Sequence, residues 1–326
     1  MLARLERVLP VGDGLLYEPK WDGFRCLAFA AGGDVVLHSR NERPLARYFP
    51  EVVSGIAQLG DVVLDGELVV HVDGRADFPA LMARLHPAPS RVDRLSRETP
   101  ARYVAFDLLA VGDDELTATP FAVRRARLAG LLTDPPAGLA LTPQSARADV
   151  ATAWLAAPAG SGIDGVMVKA PDLRYQPGKR VMVKVKRVRT ADCVVAGVRV
   201  HPDGGVGSLL LGVYDGELLR HVGVVTSLSK AKRSDLRDEL LPLVTTLDGH
   251  PWEHGFGLEG GSLGRLKGTA GRWTPDMERD WVPVRPERVA EVTYDHVEGW
   301  RFRHPSRFVR WRPDRDPTSC TVEQLA

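Results

Sequence analysis

Lys20, Trp21, Asp22, Gly23, Phe24 and Arg25 spell KxDGxR, a lysine capable of nucleophilic attack followed by an arginine able to grip anionic oxygen. In water a lysine titrates near 10.4, so roughly one in a few thousand is neutral and nucleophilic at pH 7, and burial or neighbouring cations raise that fraction. Arg25 offers a planar fork of donors for phosphate oxygen or a ribose hydroxyl. Gly23 permits a tight turn that brings both side chains inward. Taken alone, the motif reads equally well as a charged hairpin with a turn glycine.

Other residues extend the chemistry. Asp65, Gly66 and Glu67 lie where two apolar strand segments meet, so a turn is the ordinary expectation for that Asp-Gly pair. Asp164, Gly165, Val166, Met167, Val168 and Lys169 repeat the acid-glycine opening of a strand, here with a lysine at its end. Acids from two separate strands could share a Mg²⁺, whose preference for hard oxygen suits carboxylates and phosphates. Lys184 and Lys186 are two apart, so on a strand they share one face while Val183 and Val185 share the other. Two ammoniums on one face suit triphosphate oxygens and the charge that develops at phosphorus.

The elements that must position these residues alternate in the first half. Residues 25–30 and 35–38 read as a hairpin about Gly32 and Gly33, and 62–64, 68–72, 103–110, 165–169 and 181–187 read as strands. Helical spacing runs through 49–59 behind Pro50, and through 77–85, 122–132 and 148–157. From Ala191 onward the texture becomes β-rich. Strands are expected at 193–200, 207–214, 217–225, 289–295 and 308–311, with an Asp215-Gly216 turn, one helix at 230–241 and a Gly-rich stretch at 255–271. About five strands with one helix fit an OB-like barrel. The boundary is expected between Arg187 and Asp192, giving domains 1–189 and 190–326.

Composition sets the outer bounds. With 326 residues, 44% hydrophobic and 26% charged, the chain reads as two globular domains, and no run reaches the roughly 18 apolar residues of a membrane span. Residues 1–10 lack the apolar stretch of a secretory signal, so a cytoplasmic protein is expected; separately, a monomer is expected. The cysteines, Cys26, Cys193 and Cys320, form no CxxC pair, and the histidines show no HExxH spacing. A net charge of +1 says nothing of nucleic acid. Local charge says more: Arg174, Lys179, Arg180, Lys184, Lys186, Arg187 and Arg189 follow one another with no acid among them.

The order KxDGxR at Lys20, DGE at Asp65, FD at Phe106 and Asp107, DGVMVK at Asp164, KxK at Lys184 and RPD at Arg312 resembles the covalent nucleotidyltransferases: DNA ligases, RNA ligases and mRNA capping enzymes. The opening EPKWDGFR and the late WVPVRPERVAEVTYD and RFRHPSRF are similar to bacterial ATP-dependent DNA ligases of the small ligase C type. That resemblance implies an α+β protein, with a mixed α/β nucleotidyltransferase domain of ATP-grasp-like character followed by an OB-fold β-barrel. It implies ATP as co-substrate, Mg²⁺, nicked duplex DNA as partner, no membrane, and a setting in DNA repair and recombination. Lys20 would carry AMP and Glu18 would accept from the adenine amino group. Arg25 and Arg40 would hold ribose and phosphate, and Phe106 would stack on the base. Glu67 and Asp164 would serve the metal and ribose, and Lys184 and Lys186 the α-phosphate. Arg312 and Asp314 match an element that swings over pyrophosphate in the first step.

Three positions depart from the common pattern. Asp164 stands where Glu is usual, Met182 where an aromatic is frequent, and Arg315 where many relatives have Lys. DNA contact is expected from the basic run and from Lys230, Lys232 and Arg233, through phosphates rather than bases. An RNA ligase or GTP-using capping enzyme shares the core motifs, and a non-catalytic nucleic-acid-binding relict is the alternative outside enzymes.

Overall fold

Strands dominate the computed structural model, which describes residues 1–158, 160–255 and 281–325. The chain divides into two compact units, Met1–Arg187 and Val188–Ala326. In the first, β1 (Leu2–Glu6) and β2 (Leu16–Trp21) precede β3 (Phe24–Ala31), β4 (Asp34–Ser39) and the long β5 (Val62–Val72). A short β6 (Arg75–Ala76) leads to β7 (Ala101–Val111), β8 (Asp114–Glu115) and β9 (Leu139–Leu141), and then to β10 (Ile163–Lys169) and β11 (Arg180–Lys186).

Two sheets result. One is four-stranded in the order β1, β11, β10, β2; the other follows β4, β3, β5, β7, β8, with β6 added to β5 and β9 to β7. The KxDGxR segment is therefore not a hairpin, because β2 and β3 belong to different sheets and the chain crosses between them at Asp22 and Gly23. Gly23 is required by close approach: a Cβ there would lie 2.1 Å from the Leu68 carbonyl oxygen. The expected turn at Asp65-Gly66 is also absent. β5 runs straight through all three residues of DGE, and Gly66 leaves room for the Tyr103 ring, which a Cβ would meet at 2.4 Å.

Apolar alternation decides which face each sheet buries. In the four-stranded sheet, Tyr17, Val166, Val168 and Val183 pack against Ala151, Trp154 and Leu155 of the helix Ala148–Leu155. The opposite face is left for Glu18, Lys20, Lys184 and Lys186. In the larger sheet, Leu64, Leu68, Tyr103 and Leu108 join Phe49, Val52 and Ile56 around the helix Pro50–Ala57 and Leu128 of the helix Phe121–Leu131. Each such fully buried side chain contributes about 1.5–3 kcal/mol. Asp77 caps the helix Phe78–Ala83 by accepting from the Ala80 amide at 2.7 Å, worth about 1 kcal/mol.

The second unit holds β12 (Arg189–Val200), β13 (Val206–Asp215), β14 (Leu218–Val225), β15 (Val282–Tyr294), β16 (Val297–Glu298), β17 (Arg301–Phe302) and β18 (Arg307–Trp311). Five of them pair in the order β14, β13, β12, β15, β18, and a parallel bridge from Val225 to Ser306 brings the two edges together, as an OB-like barrel requires. Asp215 faces Leu218 across a two-residue loop, with Gly216 at φ 61°. The helix Lys230–Leu240 is capped by Ser229 and places Leu236 and Leu240 in the core. Apart from Gly255, the Gly-rich stretch lies outside the described residues. No helix among the described residues is long and apolar enough to cross a membrane.

Candidate active site

Strand register brings the site together. Lys20 on β2 and Lys186 on β11 both face Gly165 on the central β10, while Glu18 and Lys184 both face Met167. All four side chains thus share the face opposite the Ala148–Leu155 helix. Regular alternation would turn Asp164 away from that face. The register between β10 and β2 slips at this residue, from Ile163 opposite Trp21 to Gly165 opposite Lys20, so Asp164 is the extra residue of a β-bulge. Gly165, at φ 154°, accommodates it, and a Cβ there would lie 2.1 Å from the Val185 carbonyl oxygen.

The bulge aims the Asp164 carboxylate at the lysines. Lys20 Nζ donates to Asp164 Oδ2 at 2.5 Å, and Lys186 Nζ lies 3.2 Å from the same oxygen. Lys184 completes the cluster. Burial and the neighbouring ammoniums of Lys20 and Lys186 pull it below the ordinary lysine value, while Asp164 opposes them.

The larger sheet supplies the facing residues. Arg25 forks onto Asp65, Nε to Oδ1 at 3.0 Å and Nη2 to Oδ2 at 2.6 Å, and its Nη1 donates to the Met1 carbonyl. Tyr175 adds its hydroxyl to Asp65 Oδ2 at 2.9 Å. Burial is the largest single influence on Arg25 and works against its charge, but the bond to Asp65 and the charges of Asp65, Tyr175 and Glu67 together outweigh it and raise the guanidinium above its usual value. Glu67 lies directly across from Arg25 in the register of β3 and β5. Its side chain is partly accessible, yet burial pushes its carboxyl up to about 8, an effect that the charges of Lys20 and Arg25 only reduce.

Phe106 occupies a second bulge. β7 pairs Asp107 with Asp65 and Ala105 with Gly66, leaving Phe106 as the extra residue. Its ring lies 5.0 Å from Lys169 Nζ and 5.9 Å from the Arg25 guanidinium carbon. The adjacent Asp107 points elsewhere, into a fully buried pair with Arg124, at 2.8 Å to Nε and 2.9 Å to Nη2. Glu18, 2% exposed, is held by Lys169 Nζ at 2.6 Å and by the Gln144 amide at 2.9 Å, with Arg125 Nε at 3.6 Å.

Of the residues that sequence reasoning singled out, the fold brings Lys20, Asp164, Lys184 and Lys186 into one cluster and carries Arg25 and Glu67 on the larger sheet, whereas the sequence reading had grouped Glu67 with Asp164. That reading assigned no role to Asp65, Lys169, Gln144 or Tyr175. Asp65 and Lys169 carried a signal, since both lie inside quoted motifs; Gln144 and Tyr175 carried none. Arg40 stands exposed just beyond β4, with no bond to these residues. Arg312 and Asp314 lie in the second unit, paired with each other at 2.8 Å, and Arg312 also reaches Asp192. The basic run divides: Arg174, Lys179 and Arg180 are exposed, whereas Lys184 and Lys186 join the cluster. Of the helix cations, Lys230 is exposed, Lys232 lies over Phe308, and Arg233 pairs with Asp203 at 3.3 Å.

Among the described residues no three acids, cysteines or histidines group as a metal site, so the candidate donors for a hard divalent cation are two carboxylates. Glu67 is a carboxylate whose charge burial disfavours, which a cation would relieve, and Asp164 supplies a second hard oxygen donor.

Comparison with known proteins shows the family. Residues 3–186 match the ATP dependent DNA ligase domain, and residues 202–315 match the ATP dependent DNA ligase C terminal region. The chain belongs to the ATP-dependent DNA ligases. It is 50% identical to DNA ligase C2 of Mycolicibacterium smegmatis, over 100% of this chain and 93% of that protein. DNA ligase C of Mycobacterium tuberculosis is also 50% identical, over 100% of this chain and 92% of its own length. A solved Lig E DNA ligase, 18% identical, matches with a TM-score of 0.57 over 95% of this chain and 98% of that one, a likeness of fold.

Proposed function

We propose that the chain seals nicks in duplex DNA by way of a lysyl-AMP at Lys20. The observation that carries this reading is the single face on which Lys20, Asp164, Lys184 and Lys186 converge, with one carboxylate oxygen between two ammoniums. Lys20 Nζ attacks the α-phosphorus of ATP; a P–N bond forms, and the bond to the pyrophosphate oxygen breaks. Asp164 Oδ2, already accepting from Lys20, is the placed acceptor for the amine proton. Lys184 and Lys186 meet the negative charge that gathers on the α-phosphate oxygens. AMP then passes to a DNA 5′-phosphate, and a neighbouring 3′-hydroxyl displaces it.

Residues 1–189 form the adenylation domain in this reading, and residues 190–326 an OB-fold domain with two tasks: Arg312 and Asp314 serve the departing pyrophosphate, and the barrel grips duplex. Phe106 stacks on adenine and Glu18 reads its amino group, with Arg25 and Arg40 at ribose and phosphate. Mg²⁺, held by Glu67 and Asp164, would neutralise phosphate oxygens. A setting in DNA repair is supported by likeness to a non-homologous end joining DNA repair protein of M. tuberculosis, LigD, which is 32% identical over 94% of this chain. That protein is longer: the match spans 37% of it.

Intact-mass measurement after incubation with ATP and Mg²⁺ tests the proposal. One AMP adduct, discharged on addition of nicked duplex DNA with sealing of the strand, is expected. Absence of the adduct would end the reading.

A further inference from the structure

The planar fork of Arg312 is fully engaged within the second unit. Nε and Nη2 donate to Asp314, at 2.9 Å to Oδ1 and 2.8 Å to Oδ2, and Nη1 donates to both oxygens of Asp192 at 3.1 and 3.0 Å. The two carboxylates are held very differently. Asp314 follows the end of β18, and its side chain is 59% exposed. Asp192 sits within β12, and its side chain is 14% exposed.

Asp192 is also fixed from behind. Gln324 accepts from the Asp192 amide at 2.8 Å and donates to the Asp192 carbonyl at 2.9 Å, so both backbone groups are tied by one side chain. Arg315 Nε approaches Asp192 Oδ2 at 3.3 Å. The remaining carboxylate facing the fork, Glu291, is 4.0 Å from Nη1 and is engaged by Arg310 at 2.7 Å. A rigid carboxylate thus grips one end of the guanidinium, and a solvent-facing one covers the Nε–Nη2 edge. That edge is the one suited to bidentate recognition of a phosphate group.

We propose that Asp192 is a positioning residue for Arg312: by holding Nη1 it presents the Nε–Nη2 edge outward, where a pyrophosphate-type anion can replace Asp314. The inference rests on the reading that Arg312 serves the leaving group, and it gives Asp314 its part there as the carboxylate that covers the Nε–Nη2 edge until the anion arrives. Asp192 touches no substrate in this account and acts through the arginine. A displaced fork loses the alignment on which in-line departure depends.

Single-turnover Lys20 adenylation, its reversal by inorganic pyrophosphate, and closure of a pre-adenylated nick should be measured for Asp192→Asn, Asp192→Glu, Arg312→Ala and the double variant Asp192→Asn/Arg312→Ala. Asp192→Asn is expected to slow adenylation and its reversal by the same factor, between about 10- and 100-fold, with closure unchanged. Asp192→Glu should recover part of the rate. The double variant should be no slower than Arg312→Ala alone, because residues acting as one unit are not additive. Multiplicative slowing in the double variant, or equal loss in closure, would show a general structural role and overturn the proposal. Should Asp192→Asn not fold, the ratio of adenylation to closure in Asp192→Glu carries the same test. Loss in Arg312→Ala but none in Asp192→Asn removes the proposal alone; unchanged adenylation in Arg312→Ala removes the leaving-group reading, and the proposal with it.

Discussion

Lys20 Nζ and Asp164 Oδ2 are 2.5 Å apart, and the same oxygen lies 3.2 Å from Lys186 Nζ. A single carboxylate therefore holds the ammonium that would react beside the one that would meet the phosphate. The pairing explains how several positive charges can crowd one sheet face before any nucleotide arrives: Asp164 offsets their repulsion.

Replacing Lys20 by Ala should abolish both the AMP adduct and nick sealing from ATP. Closure of a chemically pre-adenylated nick should survive in part, since that step needs no lysyl-AMP. An adduct persisting on the variant, located by peptide mass mapping, would move the nucleophile elsewhere.

Lys184→Ala and Lys186→Ala should each slow adenylation on the order of 10²-fold, the usual cost of one lost transition-state contact. Both side chains retain some exposure, so melting should change little. Unaltered rates with normal melting would return these lysines to an ordinary charged face.

Glu67 predicts a pH dependence. Its carboxyl is raised from 4.5 to about 8 by burial, so between those values the folded chain keeps a proton that the unfolded chain releases. The associated stability is fully present below about 4.5, declines as pH rises, and is gone above about 8. Glu67→Gln should flatten that decline, read as melting temperature against pH. A cation bound at the carboxylate displaces the proton, so stabilisation of the wild type by Mg²⁺ should grow over the same window. Identical pH slopes in wild type and Gln variant would exclude Glu67 as the source.

Asp107→Ala should destabilise the fold by about 3–5 kcal/mol, because it strands the buried Arg124 charge. Arg124 also donates to the Thr119 and Leu173 carbonyls, so its loss of alignment would spread to both loops. Chemical denaturation measures this. A change below about 1 kcal/mol would mean the pair relaxes into water.

Much of the site was legible in one dimension because strands have period two: Lys184 and Lys186 had to share a face. What period two cannot reveal is a bulge. Asp164 and Phe106 are both extra residues in their pairings, and regular alternation would have turned Asp164 the other way. The Asp65-Gly66 pair misled for a related reason, since glycine marks turns and close packing alike, and here the Tyr103 ring explains it. The helix Pro89–Glu98 went unread because Val92 is its only buried side chain, so almost no apolar stripe marks it. Asp65 and Tyr175 are brought together only by the tertiary fold.

The crossing at Asp22 and Gly23 gives the motif spacing a meaning beyond its letters. Lys20 is the last residue but one of one sheet's edge strand and Arg25 the second residue of a strand of the other. The residues between them act as a spacer bar whose length fixes the gauge of the cleft, as a washer sets the gap between two plates. An inserted residue there would leave the strand pairing within each sheet intact and still spoil the fit, by widening the jaw.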